Sequence, residues 1–477
     1  MTRSAMTFQT IIMKIYNTLT KQKEDFIPRH DQKVQMFVCG PTVYDYIHIG
    51  NARTFVVFDT LAKYLQYRNY NVEYIQNITD IDDKIIAKAN STGTDPMKIA
   101  KDFEEKFYQD MKNIGVNAVS RYAPASEYIN EVVRQVKVLL DTGHAYVIDD
   151  DGYYFDLKTF PEYGRLSGRT VEMAEDGVSR IDENSNKRNR GDFCLWKFSP
   201  PAGGSGEPSW DTELGKGRPG WHIEDTAITE RHFGPQYDLH GAGQDLMFPH
   251  HEAEIAQQES ASGLKPFVKY WMHVGFLVNK EQKMSKSLGN FMTLNEALKN
   301  YSPEALRFYF LSAHYRSSLD FSVEILKQAE AAVSRIGEIK NRISFHGSSG
   351  KKATEKEEKE LNMIYNQIFE AMDDDFNTPK AIGHFFEIIH RLNVLIDDGI
   401  DINQPQSLTS IINFFDSVFG IIPAKIEIDP KIDKLVKTRE KSRQAKDFQE
   451  ADKLRSQIES FGYQIDDTSY GPLVKKR

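Results

Sequence analysis

The chain has 477 residues, a formal net charge of −9, 40% apolar residues and two cysteines, Cys39 and Cys194. The length exceeds the about 250–300 residues that one hydrophobic core serves, so several domains are expected. Two cysteines exclude a disulfide framework, no apolar run approaches the roughly 18 residues of a bilayer span, and the N-terminus lacks a signal-like segment, so a soluble, cytoplasmic protein is expected.

In chain order, Val34 to Gly40 is a short apolar run rich in β-formers. Asn51 to Tyr70 carries apolar residues at helical spacing, and Val72 to Thr79 is strand-like again. This βαβ pattern opens a parallel, nucleotide-binding sheet. His48 stands two residues before Gly50, where strand gives way to helix. Backbone and helix N-terminus at such a point can approach phosphate oxygens closely.

Helical pattern continues through Met111, and the character changes from about Asn130 to Pro219. There Asp149-Asp-Asp-Gly-Tyr-Tyr-Phe155 reads as a hairpin and Pro200 to Pro208 as a loop, which suggests an insertion into the nucleotide-binding domain. Strand and helix signals resume from Asp238 to Gln258 and from Tyr270 to Leu277. Lys283-Met-Ser-Lys-Ser287 follows, with two ammonium groups on a loop rich in hydroxyls. Cationic clamps of this sort stabilise charge that develops in nucleotidyl transfer, and losing one typically costs about 10²–10³ in rate. Beyond Pro303 the chain reads as almost wholly helical, with His346 to Ala353 a mobile connector. Between Lys431 and Lys446 seven basic residues face only Asp433 and Glu440. Such a run is either a solvated helix face or a surface for an anionic partner.

Cys39, His250 and Glu254 offer a thiol, an imidazole and a carboxylate. His250 and Glu254 are i and i+4, so on a helix both project from one face and can meet one ion. These donors suit zinc, which in reactive sites keeps a position open for substrate. From the residues alone the plainer interpretation is favoured, a buried thiol at a strand end and an ordinary helix pair.

Phe37 to Asn51 and Lys283 to Ser287 together resemble the paired signatures of class I aminoacyl-tRNA synthetases. Asn77 to Lys84, Gly220 to Glu224, Asp245 to Glu252, Trp271 to His273, Asp374 to Pro379 and the tail from Lys446 to Pro472 are similar to cysteinyl-tRNA synthetases in particular. The resemblance covers nearly the whole chain.

It implies an α/β fold, with a Rossmann-type catalytic domain in residues 13–130 and 220–270 and a connective domain inserted at 131–219. It also implies a signature loop and stem-contact region at 271–322 and a mainly helical C-terminal half, with a bundle at 323–425 and an anticodon-binding region at 426–477. The implied activity is ATP-dependent ligation of L-cysteine to tRNA(Cys) through a cysteinyl-adenylate, by a monomer that has no membrane partner. One Zn²⁺ per chain is implied on Cys39, Asp225, His250 and Glu254, with Asp225 standing where many relatives carry cysteine. An aspartate oxygen can take that place at about 2.0–2.2 Å. Bonding of the substrate thiolate to zinc would separate cysteine from serine without an editing site.

The resemblance further assigns Thr79 and Trp221 to the cysteine pocket and His48, Lys283 and Lys286 to catalysis. ATP would meet His48, Asn51, Gly241, Asp245 and the two lysines, with Mg²⁺ on its phosphates. Asn51 replaces the second histidine of the signature, which makes that phosphate contact neutral. The basic run then reads as a phosphate-tracking surface for tRNA, and Phe448, Phe461 and Tyr463 as either base-stacking or core aromatics. Two rivals are a ligase delivering cysteine to an amino-sugar and a non-catalytic tRNA-binding paralogue. The basic C-terminal region argues against the first, and the presence of His48, Lys283 and Lys286 against the second.

Overall fold

The computed structural model describes residues 12–169, 184–200, 206–279, 282–283, 292–345, 351–401, 406–423, 429–468 and 471–476. They belong to two units, one running to Ser322 with Ala371–Thr378 added, the other made of Val323–Glu370 and the chain from Pro379 onward.

The first unit is built on five parallel strands: β1 (Lys33–Val38), β2 (Asn71–Ile78), β3 (Arg121–Pro124), β4 (Tyr237–Gly243) and β5 (Val268–Val274). Their spatial order is β5-β4-β1-β2-β3. Val34 to Val38 is buried at every position, the run expected of a strand covered on both faces. The order reverses between β1 and β4, and in such sheets ligands bind beyond the carboxyl ends of the strands at that reversal. Cys39 follows β1 there, and its N–H donates to Gly241 O of β4 at 3.0 Å.

Helix α1 (Ile49–Tyr67) joins β1 to β2 and is buried at every position from Ala52 to Ala62, including the charged Arg53 and Asp59. Arg53 donates to the carbonyls of Gly275, Phe276, His314 and Ser317 at 2.7–3.2 Å, fixing the chain as it leaves β5. Asp59 accepts from the N–H of Asn117 and Ala118 and pairs at 2.9 Å with Arg307, on the helix Pro303–Leu311. These two charges fix the segments that pack against α1.

Between β3 and β4 lies an antiparallel four-stranded sheet of Ala145–Ile148, Gly152–Phe155, Phe193–Phe198 and Gly217–Pro219. Its first two strands form the hairpin expected at Asp149 to Phe155, with Asp150 in the left-handed region at φ 60°. Helix α2 (Ile223–Phe233) leads from this sheet into β4, and α3 (Glu252–Ser262) joins β4 to β5.

The second unit is mainly helical, as expected, and Phe385 stacks on Phe415 at 3.9 Å between ring centres. Residues 346–350 of the expected connector lie outside the described residues. Toward its end, helix α4 (Pro430–Gln444) and the helix Phe448–Ser460 pack with the antiparallel strands Tyr463–Thr468 and Gly471–Lys476. Ile432, Val436, Ile458, Tyr463, Ile465 and Val474 form their core. Tyr463 is thus a core residue, whereas Phe448 and Phe461 are 63% and 57% exposed. Of the seven basic residues, Lys431, Lys434, Lys437, Lys441 and Lys446 are exposed. Arg439 is buried in a two-armed bond with Asp467 at 2.7 and 2.8 Å.

Candidate active site

A cleft of about 580 Å³ opens at the carboxyl ends of β1 and β4. It is lined by His48, Asn51, Thr54, Gly243 and Asp245, and also by Cys39, Thr79, Trp221, Asp225 and His250. His48 is the N-cap of α1, and its Nδ1 accepts from Asn51 N at 3.1 Å. The proton of the neutral ring is therefore on Nε2, which makes that atom a donor. A Cβ on Gly50 would come within 2.8 Å of this ring, so only glycine leaves His48 in place. Gly241 does not line the cleft. It lies inside β4, where a side chain would collide with the Phe58 ring of α1. Lys283 pairs with Val278 in a short strand, and its side chain and the whole of Lys286 lie outside the described residues.

Four donors meet at this cleft. Asp225 lies in the first turn of α2, His250 in the kinked segment Met247–His251, whose backbone is extended at Phe248, and Glu254 in the first turn of α3. His250 Nε2 is 3.0 Å from Asp225 Oδ2 and 3.2 Å from Glu254 Oε1. One donor atom from each of Cys39, Asp225, His250 and Glu254 lies within 4.8 Å of the others, and all four residues are buried. The Trp221 ring stacks on His250 with centres 4.6 Å apart.

Burial, followed by the charges of Glu254 and Asp225, pushes the Cys39 thiol well above its usual range. Burial, then Asp225 and Glu224, raises the Glu254 carboxyl likewise. Neither Glu254 oxygen nor Asp225 Oδ1 receives a hydrogen bond among the described residues. A buried thiol and two buried carboxylates facing one imidazole lack a cation, and a divalent ion would reverse both shifts. The donor set therefore fits a metal ion.

Four further histidines, His222, His240, His251 and His273, surround this cluster and are buried. His222 Nδ1 is 2.7 Å from His250 Nδ1. Burial holds His222, His240 and His251 well below the usual imidazole range and His273 down to about 3, so all four are neutral. None of the four stands out in the sequence as a site residue. The available signal was the His250-His251 doublet together with Trp221-His222 and His273 in the recognised motifs. Thr79 Oγ1 donates to Glu224 Oε1 at 2.5 Å, a contact that the sequence also did not announce.

The fold is that of class I tRNA synthetases. Mycobacterium tuberculosis methionyl-tRNA synthetase in complex with methionyl-adenylate aligns over 81% of this chain and 92% of its own, with TM-score 0.61 and 12% identity. The Agrobacterium radiobacter K84 agnB2 LeuRS–tRNA–LeuAMS complex aligns over 83% and 85%, with TM-score 0.62 and 11% identity. Residues 25–331 match the tRNA synthetases class I (C) catalytic domain, and residues 367–423 match the DALR domain. Cysteine–tRNA ligase of Clostridioides difficile is 42% identical, covering 97% of this chain and 100% of the relative. That of Heliobacterium modesticaldum is 40% identical, covering 97% and 99%. The chain belongs to the cysteine–tRNA ligase family.

Proposed function

We propose that the chain activates L-cysteine with ATP and ligates it to tRNA(Cys), using one Zn²⁺ held by Cys39, Asp225, His250 and Glu254. The reading rests chiefly on one observation: Cys39, Asp225 and His250 of a buried S, N, O, O donor set line the same cleft as His48, the N-cap of α1. Zinc held there would supply a bond selective for the substrate thiolate.

A cysteine carboxylate oxygen attacks the α-phosphorus of ATP, and the bond from that phosphorus to the bridging oxygen breaks, releasing pyrophosphate. His48 offers its Nε2–H to the phosphates at the positive end of α1, while Asn51 gives a neutral contact. Asp245 holds the nucleotide sugar, and Lys283 and Lys286 act on the charge that develops in transfer, with Mg²⁺ on the phosphates. Gly241 serves the nucleotide site by letting β4 approach α1. Thr79 donates its hydroxyl proton to Glu224, so what it presents to a ligand is an acceptor, suited to the α-ammonium of cysteine. Trp221 covers His250 and keeps water from the thiol end.

A terminal ribose hydroxyl of tRNA then attacks the acyl carbon, and AMP leaves. The exposed lysines of α4 bind tRNA phosphates by releasing counterions. The enzyme acts as a cytoplasmic monomer; no helix among the described residues is long and apolar enough to cross a membrane. Charging of a tRNA(Cys) transcript with labelled cysteine tests the whole reading. Ester-linked cysteine on the terminal adenosine is the expected product, and activation of cysteine without any transfer to tRNA would refute it.

A further inference from the structure

The sulfur of Cys39 has two imidazole neighbours outside the proposed ligand set. His240 Nε2 is 3.2 Å away and His251 Nε2 is 3.3 Å away. As a metal ligand the sulfur is a thiolate, with no proton to give. A nitrogen lone pair at such a distance would repel it, so each ring must present an N–H.

The outer contacts of both rings agree with that requirement. Tyr237 OH is 2.7 Å from His240 Nδ1 and can donate to it, which puts the ring proton on Nε2. Glu254 Oε2, a competing acceptor, is farther from the same Nδ1 at 3.6 Å. On the other side Thr18 Oγ1 is 2.9 Å from His273 Nδ1, and His273 Nε2 is 2.8 Å from His251 Nδ1. Read outward to inward, the Thr18 hydroxyl donates to His273, His273 donates to His251, and His251 donates to sulfur. Both chains of donors run in one direction and end on one atom. The Trp271 ring stacks on His240 with centres 4.4 Å apart and lies 5.0 Å from His251, holding both rings in place.

We propose that His240 and His251 are positioning residues that each donate an Nε2–H to the Cys39 thiolate, with their tautomers set by Tyr237 and by Thr18 through His273. The proposal rests on the metal reading above. Two N–H···S bonds draw charge from the sulfur, so it gives less to the ion. The ion is then a stronger acceptor for the substrate thiol, in the same direction as the hard oxygen of Asp225. The bonds also hold the thiolate in the orientation that meets Asp225, His250 and Glu254.

The test is Co²⁺ substitution of the full chain, reading the sulfur-to-cobalt charge-transfer band, the metal stoichiometry and the metal affinity. Wild type should bind one ion. His240→Leu and His251→Leu should each move the band to lower energy, because a thiolate relieved of a hydrogen bond is a better donor, and should weaken metal binding about 10–100-fold, because the sulfur is no longer held toward the other three donors. His251→Gln keeps an N–H within reach and should return the band most of the way to its wild-type energy, which a packing role would not predict. Tyr237→Phe and Thr18→Val, which preserve shape, should produce the same shift in smaller measure even if the leucine variants fold poorly. An unmoved band in every folded variant would overturn the proposal. Two ions per chain, one lost with either histidine, would overturn it as well and make His240 and His251 ligands of a second ion sharing Cys39 and Glu254. A wild-type chain that takes up no cobalt would overturn the metal reading itself, and this proposal with it.

Discussion

Thr79 Oγ1 lies 2.5 Å from Glu224 Oε1, a buried bond that joins the end of β2 to the first turn of the helix carrying Asp225. Asn77 Nδ2 donates to the same hydroxyl at 3.3 Å. The two bonds orient Thr79, and through it the cleft is coupled to the residue preceding a proposed metal ligand.

Thr79→Val should therefore raise KM for cysteine while leaving KM for ATP nearly unchanged. A hydrogen bond to a charged group contributes about 1.5–3 kcal/mol, so an increase of roughly 10–100-fold is expected. Thr79→Ser, which keeps the hydroxyl, should behave much like wild type. Steady-state pyrophosphate exchange over a range of cysteine and ATP concentrations checks this, and equal changes in both KM values would point to a general distortion of the cleft.

Asp225 tests the fourth donor. Asp225→Ala should lower zinc content and weaken cysteine binding, whereas Asp225→Cys, which conserves formal charge and changes volume little, should retain most of both. Metal analysis paired with cysteine titration separates direct ligation from a bystander role. Full zinc and unaltered cysteine affinity in Asp225→Ala would leave the ion to Cys39, His250 and Glu254 alone.

The sequence made part of this site legible and hid the rest for physical reasons. Cys39, Asp225, His250 and Glu254 stood out because the motifs around them resemble those of a known family, and the sheet because Val34 to Val38 is continuously apolar. His222, His240, His251 and His273 come from separate elements, and a single histidine beside apolar residues looks the same whether it is a core residue or part of a converging cluster. Gly241 shows the same degeneracy. A glycine that lets β4 approach Phe58 and a glycine that lets backbone approach a phosphate share one signature in sequence. In the basic run, nothing local distinguishes Arg439, which the distant Asp467 draws into the interior, from the exposed lysines beside it.

That difference predicts two kinds of variant in the tail. Replacing Lys434, Lys437 and Lys441 by alanine should weaken tRNA binding and reduce the slope of log affinity against log salt by about 0.7–0.9 for each phosphate that is no longer neutralised. Cysteine activation should be unaffected. Arg439→Ala should instead loosen the local fold, since it leaves Asp467 without its two-armed partner. Salt-dependent binding isotherms, together with limited proteolysis, tell the two outcomes apart.

Asp59 and Arg307 give a prediction about stability alone. Both are buried, and their side chains meet at 2.9 Å. Asp59→Ala would leave the guanidinium without its counter-charge and Asn117 and Ala118 without an acceptor, a loss of about 3–5 kcal/mol. Denaturant unfolding should show that loss. A midpoint equal to wild type would mean that Arg307 finds another partner.

Metal-dependent choice of cysteine is measured most directly by amino-acid-dependent ATP–pyrophosphate exchange with the zinc-loaded chain, comparing cysteine against serine. Strong exchange with cysteine is predicted, with serine lower by several orders of magnitude and the cysteine signal lost when chelation removes the metal. Exchange with serine approaching that with cysteine, or cysteine exchange that survives complete removal of the metal, would contradict the proposed role of zinc.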